Sequence, residues 1–311
     1  MGQGEIFDPN EEVNPPHPTG DNQNLAGDFN QAVENLTSMR KVIANLEKLC
    51  HKLGSPEIWA QPSRCREAVD QLAEITPQIQ NLPILPDGLL QRARDASRQV
   101  EHALLKRTID GLEEACRTAG VSFQCISRPS HEYRTGTFTL VMDPASGRVR
   151  IGYARELMVE TPMETGIIWN ELHRCIQELK KGFRDSEFFF KELLAVYKGM
   201  LGEKGRKFGE RVELADLPGR LTARRLSRSF WKNPRPGAFH PITRAMLAYG
   251  LDQLILNRAL GQDGFRLRLG SATMDTTKKK ADVLYLEKGQ AGGQYYLTFW
   301  FEKDPGAKAE G

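Results

Sequence analysis

Up to Gly120 the apolar side chains of this chain recur at helical spacing; from Val121 they alternate. A period near 3.5 buries one stripe of a helix, and a period of two buries one face of a strand. The change at Gly120–Val121 therefore divides the chain into a helical region and a mixed one. The first carries the sharper repeat. Phe29, Leu36, Ile43 and Cys50 occupy one heptad position, and Ala32, Met39, Leu46 and Leu53 the other. A helix over 28–53 follows, with Asp28 and Gln31 at capping-box spacing and Gly54 as its stop. Such a seam suits a coiled coil or long antiparallel hairpin, with an ordinary bundle helix as the alternative. Phe29, Leu36, Met39, Ile43, Leu46 and Leu53 are accordingly the candidate surface for joining a second copy or a protein partner. A shorter helix over 63–76 and a long one from Asp87 to Ala119 complete a helical region spanning 26–120.

Residues 1–25 hold five acids, four prolines and no Lys or Arg. This composition cannot bury enough surface to fold alone and reads as an acidic, disordered tail. Residues 304–311 read as a second flexible tail.

From Val121 to about 303 the chain reads as an α+β domain. VSFQCIS and the two halves of TFTLVMDPASGRVRIGYA make a small antiparallel sheet over 121–160, turning at Asp143–Arg148. Helices fill 161–258. The first begins at Thr161-Pro162-Met163-Glu164, where a capping Thr, a Pro at the first helical position and a Glu at the third coincide. The second runs from Ser186 to Leu201, another covers 220–230, and the last covers 241–258. Three antiparallel strands over 265–303 close the domain: FRLRLGSAT, ADVLYLE and QYYLTFWFE.

The functional signal is charge. Between Lys204 and Arg244 eleven Lys or Arg stand against three acids, a local charge of +8 in a chain whose formal charge is +3. A concentrated basic segment in a nearly neutral chain faces a polyanion or forms a solvated face. The element order from 186 to 287 matches a winged helix-turn-helix, with Lys278, Lys279 and Lys280 at the wing tip. Against that match, the 241–258 helix is too apolar for a recognition helix, and the Arg-rich 220–230 helix suits the charges better. The candidate phosphate-gripping residues are Arg220, Arg224, Arg225, Arg228, Lys232, Arg235, Lys278, Lys279 and Lys280. Phe230, Trp231 and Phe239 interleave with them and are available for base stacking or for pinning the loop to the core.

Other chemistries find no support in the residues. The five cysteines form no CxxC pair and read as reduced thiols. Glu171 and His173 are two apart on a helix and diverge, so no metal pair forms there. The acids near Lys288 and Lys303 lack the Glu-x-Lys spacing of a metal nuclease, GEKGRK lacks a phosphate-loop ending, and no serine-triad signature occurs. No apolar run reaches membrane-spanning length, and no secretory leader precedes the fold. The expectation is a cytoplasmic, non-catalytic nucleic-acid-binding subunit with no cofactor and no metal, DNA being favoured over RNA. The alternatives are a scaffold that meets only proteins, and an enzyme whose site is assembled from scattered residues.

Overall fold

The computed structural model describes residues 20–79, 89–226, 228–233, 239–287 and 293–304. The chain divides into two compact units, Met1–Ser97 and Arg98–Gly311.

In the first unit, α1 spans Gly20–Gly54 and α2 spans Pro62–Ile75. The helix begins before residue 28, so the expected tail is helical from Gly20; residues 1–19 lie outside the described residues. Leu46 and Leu49 of α1 are buried against Val69 and Leu72 of α2 and Ile79 just beyond it. The indole of Trp59 closes the α1–α2 turn by donating to the Leu53 carbonyl at 3.0 Å. Only the C-terminal half of α1 is covered in this way. Val33, Leu36, Met39 and Ile43 are exposed, between 41% and 65% of their surface. The heptad residues thus separate into two groups: Leu46 and Leu53 pack inside the unit, and Leu36, Met39 and Ile43 face outward. The side chain of Phe29 lies outside the described residues. The residues from Leu89 to Ser97 open a third helix, α3 (Leu89–Thr118), and Ala93 packs on the same apolar cluster. Asp87, the expected cap of this helix, lies outside the described residues.

The second unit contains the rest of α3, two antiparallel sheets and the remaining helices. The first sheet is a five-stranded meander of β1 (Phe123–Ser127), β2 (Glu132–Thr135), β3 (Phe138–Asp143), β4 (Arg148–Tyr153) and β5 (Glu156–Pro162). Three strands are expected from the sequence; β2 and β5 are additional. The first is only four residues long, and the second is read as a helix start because of Thr161-Pro162. Pro162 is tolerated in β5 because that strand lies at the sheet edge, where no ladder bond is lost. The helix it seems to open, α4 (Thr165–Lys181), begins three residues later. Leu105 and Leu112 of α3 join the core beneath the sheet, and the buried Cys116 thiol lies 3.1 Å from the Thr135 hydroxyl.

Helices α5 (Ser186–Glu203), α6 (Leu217–Arg225), α7 (Arg228–Lys232) and α8 (Arg244–Leu256) follow. The expected 220–230 helix is in fact two, because Leu226 adopts an extended conformation after α6. The second sheet is built on β10 (Gly293–Lys303). One edge of β10 pairs with β8 (Phe265–Ser271), which also pairs with β7 (Gly261–Gln262). Its other edge pairs with β9 (Leu284–Glu287) near its start and with β6 (Val212–Glu213) further on. β8 and β9 are the strands a wing would join, and each pairs with β10; among the described residues they do not pair with one another. The 278–280 segment is therefore a connection over a sheet, not a hairpin tip.

Helix α8 is the centre of this unit. Seven of its thirteen residues are buried, among them Leu247, Leu251 and Leu254, which excludes it from a groove-reading role. Gly250 permits the closest approach: a Cβ there would fall 2.5 Å from the ring of Phe189 on α5. Asp252, 2% exposed, carries the polar link. The Tyr153 hydroxyl of the first sheet donates to its Oδ2 at 2.6 Å, and the Glu287 amide of the second donates to the same oxygen at 3.3 Å. Burial pushes the Asp252 carboxyl up to about 7, against the opposing effect of those two hydrogen bonds.

Two outcomes follow. Leu46→Ala should cost about 3 kcal/mol, because it leaves a cavity, whereas Leu36→Ala should stay within about 0.5 kcal/mol; urea unfolding distinguishes them. The second concerns pH. A folded-state carboxyl with a raised pKa holds a proton that the unfolded chain has released. Its stabilising effect is thus complete below the ordinary carboxylate range and is lost as pH rises toward the folded value. Between about pH 4 and pH 7 the loss runs at about 1.4 kcal/mol per pH unit. Asp252→Asn keeps an acceptor for Tyr153 and removes the titration. Its unfolding free energy should fall less steeply over that range, leaving the smaller slope from Glu287, whose pKa burial also raises.

Candidate nucleic-acid interface and a polar cleft

The tertiary structure sorts the cations of the basic segment into two kinds. Three arginines are paired with acids. Arg225, at the end of α6, forms a forked pair with Glu192 of α5, with contacts of 3.0 and 2.5 Å, and also donates to the Gly182 carbonyl at 3.0 Å. Glu192 is 6% exposed, so this pair is an internal strut. Arg220 is paired with Glu203. Arg244, at the start of α8, binds Glu156 at 2.8 Å and donates to the carbonyls of Lys280, Ala281 and Val283. Lys204 and Lys278 lie beside Asp216 and Asp275, at 3.8 and 2.9 Å.

Arg206 donates to the Arg211 carbonyl and Arg211 lies over the Trp300 ring, whereas four further cations are open. Arg224, Lys232, Lys279 and Lys280 are exposed, and among the described residues none has an acid at ion-pair distance. The backbone of Arg228 belongs to α7, but its side chain lies outside the described residues, as does the whole of Arg235. The sequence reading does not separate struts from open cations. That separation depends on Glu192, Glu203 and Glu156, which are distant in sequence.

Two joints tie together segments that carry these cations. The Ile242 amide donates to the Thr222 hydroxyl at 2.8 Å, fastening the 239–243 segment to α6. Arg244 then fastens that segment to the backbone of 280–283. The aromatic residues stand along the same run. Phe230 lies 6.0 Å from Trp231 and 6.2 Å from Phe239, centroid to centroid. Trp231 remains 65% exposed and Phe239 45% exposed, so neither pins the loop to the core.

A second polar constellation, not foreseen from the sequence, lies on the outer face of the meander. A cleft of about 430 Å³ is bounded by that face, by the β4–β5 turn and by β9. In its floor Glu132, Val141 and Arg150 are cross-strand neighbours in one row. At one side Arg134 binds Glu287 at 3.2 Å, while its Nε is buried with no hydrogen-bond partner. The β4–β5 turn is a two-residue hairpin in which Ala154 and Arg155 have φ of +50° and +62°. Such turns favour Asn-Gly, and non-glycine residues there carry strain on the order of 1 kcal/mol each. The strain is offset by the contacts of Arg155. Its guanidinium lies 4.6 Å from the Tyr285 ring and 5.4 Å from the Tyr295 ring, and it donates to the Tyr295 hydroxyl at 3.3 Å.

Among the described residues no group of three or more His, Cys, Asp or Glu is placed to hold a metal ion, and no helix is long and apolar enough to cross a membrane. No family model, no curated protein and no solved structure matches the chain.

The strut assignment has a direct consequence. Arg225→Met leaves Glu192 buried without its partner and should destabilise the fold by about 3 kcal/mol. Arg224→Met, one residue away, should change stability by less than about 0.5 kcal/mol. Chemical denaturation of the two variants compares them.

Proposed function

We propose that this protein is a non-catalytic nucleic-acid-binding subunit of a larger assembly. It holds phosphates through the open cations of α6, α7 and the 278–280 connection, and it joins other chains through α1. The observation that carries this reading is that Arg224, Lys232, Lys279 and Lys280 are exposed and, among the described residues, have no acid at ion-pair distance, on segments tied to one another, with the exposed ring of Trp231 next to Lys232 in the chain. An unpaired cation can neutralise a phosphate and release its counterions without first breaking an internal ion pair. An exposed indole among cations offers a stacking platform for an unpaired base. Arg220 and Arg225 enter the reading as supports of that surface and not as contacts.

Of a winged-helix arrangement, only the basic 278–280 segment belongs to this proposal. The coiled-coil element belongs to α1, whose outward Leu36, Met39 and Ile43 keep heptad spacing and lack cover among the described residues. A cytoplasmic location goes with this reading, with DNA as the favoured polymer. The same α1 stripe favours the second reading, a scaffold that meets only proteins.

Fluorescence anisotropy with a short single-stranded DNA, titrated over a range of salt, separates the two. The wild type should bind, and its affinity should fall steeply with salt. Replacing Arg224, Lys232, Lys279 and Lys280 together by Ala should lower the salt slope by about 3, at about 0.7 per phosphate contact on a single strand. Trp231→Ala should weaken binding and leave the slope unchanged. A wild type that ignores DNA even at low salt leaves the scaffold reading standing.

A further inference from the structure

The cleft on the outer face of the meander takes no part in nucleic-acid binding as proposed above, and its side chains are arranged for a different ligand. Its volume, about 430 Å³, falls in the range of small-molecule sites, and polar groups from separate strands converge on it. Three features define what it would accept.

The first is the floor. Glu132 on β2 and Arg150 on β4 carry opposite charges two strands apart, about 10 Å between backbones by strand spacing. Val141 on β3 lies between them. Among the described residues neither charge has an opposite charge at ion-pair distance: Arg134, on the same strand as Glu132, is held by Glu287, and Glu160, the cross-strand neighbour of Arg150, is held by Arg148. An acid and a base left open across one apolar residue are complementary to a molecule that carries both charges itself.

The second is the wall. Arg155 is fixed between Tyr285 and Tyr295 by a turn in the left-handed region. Its contacts are aromatic rings and a phenol, and no carboxylate lies at ion-pair distance from it among the described residues. It therefore presents positive charge to the cleft.

The third is apolar surface. Leu157 and Ile126 line the cleft and are 64% and 48% exposed. With Val141 they give a ligand's hydrocarbon part a place to lie.

We propose that this cleft binds a small zwitterion with an apolar body, of the free amino-acid class. Arg150 and Arg155 take the carboxylate, Glu132 takes the ammonium group, and Val141 and Leu157 receive the side chain.

L-Phenylalanine is the probe, with 3-phenylpropionate and phenethylamine as comparators that each lack one charge. Isothermal titration of the full chain should show saturable binding of phenylalanine, and weaker binding of both comparators. Arg150→Ala should weaken phenylalanine binding by about tenfold or more, as expected for the loss of a charge-assisted contact. Glu132→Gln should weaken phenylalanine and leave 3-phenylpropionate unchanged. Arg150 and Glu132 are surface positions, and unchanged thermal unfolding of the variants checks that each still folds. Absence of saturable binding by the wild type overturns the proposal. So does an Arg150→Ala variant that binds as tightly as the wild type, or an equal response of all three probes. None of these results bears on the DNA titration, because the two sites share no residue.

Discussion

The carboxylate of Asp252 is the joint on which the larger unit depends. It sits on the most buried helix, accepts a hydrogen bond from Tyr153 of the meander, and accepts another from the Glu287 amide of the second sheet. Two sheets and the helix between them are thereby held by a single oxygen. A carboxylate in so apolar a setting is costly as an anion, which is why its pKa rises. The arrangement also fixes Glu287, whose side chain in turn holds Arg134. The polar cleft is thus linked to the core through Asp252, the Glu287 backbone and the Glu287 side chain. Apolar contacts supply most of the cohesion, with Phe189, Phe190, Tyr197, Phe299 and Phe301 all buried in one cluster.

The arginines show how one residue type takes two physical roles. A guanidinium near a buried carboxylate forms a forked, oriented pair and becomes part of the framework, as Arg225 does with Glu192. A guanidinium or ammonium with no acid in reach stays solvated and available to a mobile anion. Both kinds occur within two consecutive residues, Arg224 and Arg225. The charge of the segment therefore overstates what it offers a partner, and only its unpaired portion enters the proposed interface.

A comparable division runs through α1. Its heptad residues are equivalent in the sequence, yet Leu46 is buried by α2 while Leu36 is 65% exposed. The cause is length: α1 has 35 residues and α2 has 14, so the shorter helix covers only part of the longer one. The uncovered part bears the apolar stripe that a further helix would bury, which links the fold of this unit to the proposed association.

Periodicity and punctuation by themselves determined the element types: long helices before Gly120, strands after it, α4 and α5 close to their observed ends, and β8 and β10 nearly in full. These rest on local physics, in which apolar spacing selects helix or strand and residues such as Gly54 and Gly182 stop a helix. Tertiary structure alone decided the rest. Pro162 looks like a helix start and became the end of an edge strand, because β5 had β4 to pair with. β8 and β9 look like a hairpin and are separated, because β10 lies between them and pairs with each. Which arginines are struts, and that Glu132, Arg150 and Arg155 meet in one cleft, depend on partners that the chain brings together only by folding. Pairings of that kind are non-local, and spacing along one sequence carries no record of them.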